Sequence, residues 1–450
     1  LLPITFFFCS LLLVQGQEGS APIEGIRNND SRLHALMGGV VVSSRGDLKA
    51  NIILRNGRID SVGQNVIAPE GARVWDMEGK RIYPGFIEPW LEGEMADKFT
   101  GSHWNKKVMP DRNAASLISL DDDKLKLMRG MGFSVAHTVP KDGIFRGKSA
   151  IFLLRDGKRG DQLLNSSVSQ VLDFDHGGGG YPSSLMGSIA LVRQTLSDAK
   201  WYHEAMAKHL NDPSSSLRPA HSRALNELEL GDKFMFIARD ELDYDRIKTL
   251  KNEFKLDIVV KGNGYEYRRL RALKELGCNI IMPLNFPALP SIDDPTKALD
   301  YSLEELQHWE FSPSGPALVS TKGLNFSFSS HGLDDPLKSF WKRIRTAVKR
   351  GMDPNDALQA LTSIPAKTLG IDDRCGDLVA GKFANLVISE GDLFLDDQSK
   401  IHATWVDGIP YLKELSPELN VSGRWEISGF GDKASIVWEI QIGRATCRER

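Results

Sequence analysis

The residues best placed for chemistry stand at the close of short apolar runs. Phe86-Ile87 leads to Glu88, Trp90 and Glu92, and VAHTVP carries His137. DKFMFIARD ends in Ala238, Arg239 and Asp240, LDIVVKG reaches Lys261, and NFSFSSHG reaches His331. Two carboxylates and two histidines gathered at one point can hold a divalent cation such as zinc. The plainer reading makes His137 a hydrogen-bonded wall residue and pairs Glu92 with Arg239 or a lysine. No two ligand types stand at a chelating spacing within one element, which favours the plainer reading. Asp173, Asp175 and His176 precede four glycines and suggest a mobile acidic loop over the same place. No Lys-Ser/Thr follows those glycines, so a phosphate-cradling loop is excluded.

The elements that must position these groups change character near residue 84. From Leu33 to Lys80 the pattern is β, with Asn56-Gly57 between two apolar runs as a hairpin signal. The segment around Pro84-Gly85 feeds a buried strand, and beyond Glu94 strand-like and helical patterns alternate, which predicts parallel βα units. LDDDKLKLMRGMGFSVAHTVP predicts a helix with an acidic first turn, a stop at Gly132 and a strand into His137. Asp243 is the expected cap of the helix DYDRIKTLKNEF. Phe340, Ile344 and Val348 form one helical stripe ended by Gly351, and Asp353-Pro354 opens the next helix. Asp407-Gly408 marks a second hairpin turn, and Trp104, Trp201 and Trp341 are expected in core or groove packing.

With 450 residues, net charge −3 and 26% charged residues, the chain has the make-up of a globular protein with a large core. Acidic and basic residues are interspersed, and nothing points to nucleic acid. The apolar run Ile4 to Val14, followed by small and polar residues, reads as the core of a secretory signal peptide ending between Gly16 and Ser20. No initiator methionine precedes it, so a fragment of a longer exported protein is expected, periplasmic or extracellular. The cysteines Cys9, Cys278, Cys375 and Cys447 show no metal-ligand spacing and no disulfide framework, and burial is expected for Cys278.

Two stretches resemble a known family. Pro84-Gly85-Phe86-Ile87-Glu88 is similar to the entry into the barrel of the amidohydrolase superfamily, Pro-Gly-Phe-Ile-Asp-x-His-x-His. Ala357 to Ala366, then Leu369-Gly370, then Gly376 to Val387, resemble the segment that follows the barrel in imidazolonepropionase- and dihydroorotase-like members. The resemblance runs from Leu33 to Leu412. It implies an α/β fold with a TIM-type (β/α)8 barrel over residues 81–370 and a composite β-sandwich from 33–80 plus 371–412. Residues 1–20 would be the signal peptide, 416–441 the start of a truncated β module, and 442–450 a non-native tail.

The resemblance also implies a metal-dependent hydrolase of C–N bonds, with ligands on several strand ends. Here the two first-strand histidine places hold Trp90 and Glu92. Ala238 with Arg239, Lys261, and His331 stand at the later ligand places. The first expectation is therefore a metal-free, non-catalytic module attached to further domains, with no cofactor. The second is an active hydrolase of cyclic amides or small peptides, using an altered ligand set around a metal such as zinc. The third is a barrel that binds a small molecule at its mouth. No nucleic acid and no membrane anchor are expected as partners.

Overall fold

The computed structural model describes residues 32–413 except 45, 94–98, 215, 291–295 and 297–299. Beyond 413 it describes the backbone of strands Gly423–Phe430, Ala434–Gln441 and Arg444–Cys447. The expected signal peptide lies outside the described residues. Among these, no helix is long and apolar enough to cross a membrane.

An eight-stranded sheet is assembled from both ends of the main body. Leu33–Val41, Leu48–Arg55, Arg58–Gly63, Arg73–Asp76 and Lys80–Pro84 come from the N-terminal side. Leu386–Glu390, Lys400–Val406 and Ile409–Leu412 come from the C-terminal side. The two sets meet where Leu386–Glu390 runs antiparallel to Lys80–Pro84, so Arg81 to Pro84 belong to this sheet and not to the barrel segment expected from residue 81. Both hairpin signals take the form that twisted antiparallel strands favour. Asn56 and Gly57 have φ of 51° and 78°, Asp407 and Gly408 52° and 76°. Gly85 then lets the chain leave the sheet, because a Cβ there would fall on Ser134 and lie 2.9 Å from that of Asn385.

Strand–helix alternation follows. Phe86–Glu92 pairs parallel with Phe133–Val139, the helix Asp122–Gly130 between them. Asp121 caps that helix, its side chain accepting from the Lys124 amide, and Asp122 and Asp123 occupy the first turn. Gln170–Asp173, Lys233–Ile237, Asp257–Lys261, Asn279–Pro283 and Phe326–Ser329 form a second run of parallel neighbours. Helices Leu185–Asn211, Asp243–Phe254 and Leu270–Leu276 cross between successive members. One stretch departs from the expected parallel order. Phe145–Lys148 is antiparallel to Gln170–Asp173, and Ala150–Leu153 is antiparallel to Phe133–Val139.

The strands alternate between two apolar environments, as the two-residue period of a strand dictates. Phe86, Phe234, Phe236, Ile258, Val260, Ile280 and Phe328 pack in a cluster with helical residues such as Val192, Ile247, Leu273, Phe340 and Ile344. Ile87, Trp90, Val135, Ile151, Val171, Met235, Val259 and Ile281 share a separate buried cluster. The hydrogen-bonded sheets are open, one of four strands and one of six. Side chains nonetheless join the first strand to the last. Ser329 Oγ donates to Glu88 Oε1 at 2.6 Å, and Ser330 Oγ and N donate to Oε2 at 2.6 and 2.9 Å.

Several local expectations need correction. Asp243 begins its helix, whose N-cap is Leu242. Its carboxylate accepts from the amides of Arg239 and Asp240, while Asp240 accepts from those of Leu242 and Asp243. Trp104 and Trp201 are exposed, at 70% and 59%, and only Trp341 of the three is in the core. Trp104 stacks on Tyr181, its ring centroid 6.5 Å away.

Candidate functional site

The chemistry-bearing side chains gather at the C-terminal ends of the parallel strands, on the side of the cluster that holds Trp90. Counting by twos from Val171, Ile237 and Val259, residues on that face, brings Asp173, Arg239 and Lys261 to the same side. Glu92 closes the first strand and His331 follows the last.

These groups form an alternating chain of charges. Arg146 Nη1 lies 3.1 Å from Glu92 Oε1, and Arg146 Nη2 lies 2.6 Å from Asp173 Oδ2. Arg239 grips Asp173 with two donors, Nε at 2.8 Å and Nη2 at 2.7 Å, and reaches Asp175 at 2.9 Å. His331 Nε2 stands 3.5 Å from Glu92 Oε2. The expected partner of Glu92, Arg239 or a lysine, is therefore replaced by Arg146 with His331. Asp173 is no part of a mobile acidic loop either: its side chain is fully buried between two guanidiniums. Burial acts to raise the Asp173 carboxyl, but the Arg239 hydrogen bonds and the Arg146 charge bring it below the usual range. For Glu92, burial is likewise outweighed, by His331 and then Arg146, and its pKa falls to about 2.

Glu88 is buried and lies apart from this chain. It accepts from Trp90 N at 3.1 Å as well as from Ser329 and Ser330, and burial still pushes its carboxyl up. His137 is fully buried, with Nδ1 donating to the Pro89 carbonyl at 2.8 Å and Nε2 without a partner. Burial brings its pKa down to about 4. It is a wall residue that reaches none of the acids. Ala238 is buried and offers no ligand atom. Trp90 is fully buried, its indole Nε1 unpartnered, and Lys261 Nζ lies 5.6 Å from its ring centroid.

A divalent cation needs three or more ligands converging on one point. Among the described residues no group of three or more His, Cys, Asp or Glu side chains is arranged to hold one. The indole of Trp90 fills the place of the first expected ligand, both Asp173 oxygens and Glu92 Oε1 are taken by guanidiniums, and Glu92 Oε2 faces His331. Arg146 was absent from the sequence candidates, and the only signal for it was a charged residue inside the apolar run IFRGKSAIFL.

The site has a defined acid sensitivity. His137 has a folded pKa below its unfolded value, so it favours folding above about pH 6.5 and loses that contribution as pH falls toward 4. Glu92 is also depressed, and its contribution is lost between about pH 4.5 and 2. Urea titrations should show these two contributions to the unfolding free energy falling away over those windows, while the raised Glu88 and Glu266 act in the opposite sense. In His137→Gln the fall between pH 6.5 and 4 should shrink. An unchanged profile in that variant would remove His137 as its source.

Residues 316–412 match the family model described as the amidohydrolase family. A solved amidohydrolase from Thermotoga maritima superposes with a TM-score of 0.70 at 19% identity, covering 84% of this chain and 100% of that one. An uncharacterized protein superposes at 0.51 and 13% identity, covering 85% and 100%. A protein described as a candidate prolidase from Bifidobacterium longum superposes at 0.50 and 14%, covering 85% and 95%. No curated protein matches the chain. Residues 316–412 thus carry the amidohydrolase-family match, and the structural likenesses, which bear on fold alone, agree with it over the rest of the main body.

Proposed function

We propose that this chain is a metal-free, non-hydrolytic module built on the amidohydrolase barrel. The observation that carries the reading is the replacement of a ligand shell by the Glu92–Arg146–Asp173–Arg239 chain over a buried Trp90. Guanidiniums in hydrogen-bond contact with Glu92 and Asp173 oppose a metal cation, and they leave those acids few free lone pairs. The barrel is supported by the strand-by-strand inner cluster and by the Glu88 bonds between first and last strands. In the same reading the chain is exported, on the apolar run Ile4 to Val14, and works beside further domains. Intact-mass analysis of protein from a secreting host should show that run removed, and a retained run would refute export.

Elemental analysis of purified protein should find far less than one equivalent of zinc, iron or manganese. Added zinc should leave the melting temperature unmoved, since a ligand that binds only the folded form raises it. Hydrolysis of Xaa-Pro dipeptides should stay at background. Near-stoichiometric metal, removed by chelator together with amide hydrolysis, would overturn the proposal and establish an altered metal site.

A further inference from the structure

We propose that Lys261 is an amine nucleophile, set at the strand ends to form an imine with a small carbonyl compound. It closes the strand Asp257–Lys261 on the face that holds Val259 and lies against the Trp90 indole. Among the described residues its Nζ has no ion pair. The acids that bear on it are engaged elsewhere: Glu92 with Arg146 and His331, Asp173 with Arg146 and Arg239. Glu266 is taken by the amides of Asn263 and Gly264 and by the Tyr244 hydroxyl. Burial first, and then the nearby Arg146 charge, push the Lys261 ammonium below the usual lysine range, with Glu92, Glu266 and Asp173 opposing. An apolar wall and a neighbouring cation are the two devices that free a lysine lone pair near neutral pH.

The nitrogen lone pair attacks the carbonyl carbon, and the π pair moves to oxygen, which takes a proton. The resulting carbinolamine then breaks its C–O bond. A proton lost from nitrogen leaves with that oxygen as water, so amine and carbonyl give imine and water with no change in oxidation state. The cationic side chains Arg146 and Arg239 suit a carbonyl compound that also carries a carboxylate, and glyoxylate is the simplest probe.

The proposal rests on the metal-free reading of the strand ends, yet its readout is independent of metal. The full chain is incubated with glyoxylate and cyanoborohydride at pH 7, then digested and mapped by mass spectrometry. A depressed pKa leaves a larger share of the amine neutral at pH 7. Carboxymethylation of Lys261 should therefore exceed that of the exposed Lys274 and Lys322 at matched times. In Lys261→Arg that adduct should vanish while the other two lysines label as before. Labelling of Lys261 no faster than of Lys274 in the wild-type chain would overturn the proposal. Metal analysis of the same preparation tests the metal-free reading separately, because a bound metal would sink that reading and leave the labelling ratio readable.

Discussion

Glu88→Ala is expected to destabilise the fold by about 3–5 kcal/mol, the cost of leaving several buried donors without their acceptor. The carboxylate is fully buried and accepts from the Ser329 hydroxyl, the Ser330 hydroxyl and amide, and the Trp90 amide. Alanine leaves those donors in the interior, and only Ser329 has an alternative acceptor near, the Trp90 carbonyl at 3.4 Å. Each buried donor left unmade costs about 1–3 kcal/mol before relaxation. The bonds also tie the first parallel strand to the last, 241 residues apart in sequence for Glu88 and Ser329. Glu88→Gln keeps the shape but presents an amide where two serine hydroxyls and two amides donate, so a loss of about 1–3 kcal/mol is expected. Urea unfolding of both variants measures this. An alanine variant within about 1 kcal/mol of wild type would show that other contacts hold the first and last strands together.

How far the sequence discloses this architecture depends on the range of the interaction. Turns and caps are local, and Asn56-Gly57, Asp407-Gly408, Asp121 and Asp353-Pro354 all take the conformations their residue types require. The stripe Phe340–Ile344 faces the core for the same reason, since helical spacing puts both on one side. Asp243 failed as a cap because Asp240, three residues earlier, takes the Leu242 and Asp243 amides while the Asp243 carboxylate turns back to those of Arg239 and Asp240, and residue type alone does not say which aspartate caps. The site was legible only in part. That Glu92, Arg239 and His331 would stand near strand ends follows from where apolar runs stop. Which charge meets which does not, for Arg146 lies 54 residues from Glu92 and Arg239 lies 66 from Asp173. The Arg146 pairings depend on an antiparallel strand beside the parallel ones, an orientation no periodicity announces, and that of Arg239 with Asp173 on which two parallel strands become neighbours.

Restoring histidine at both Trp90 and Glu92 is expected to yield a less stable protein that still binds no metal and hydrolyses no amide. Trp90 is fully buried in the cluster with Ile87, Val135 and Val259, so a smaller imidazole there leaves unfilled volume. Losing a buried indole costs about 3–5 kcal/mol when the surroundings do not collapse. Glu92→His adds a second defect by removing the carboxylate that Arg146 and His331 share. Arg146 and Arg239 would then share the buried Asp173 without the second acid, close to the Lys261 ammonium. A divalent cation entering that surplus of positive charge is opposed by several kcal/mol at short range wherever water is excluded. Two histidines on one strand cannot supply the convergent ligands from other strands that a site requires, and those strands offer Ala238, Arg239 and Lys261. Thermal melts, elemental analysis and amide hydrolysis assays on the double variant test each part. Stoichiometric metal with hydrolysis after these two changes alone would mean that the remaining strand ends had kept a working ligand set, and that Arg146 and Lys261 yield their places when metal arrives.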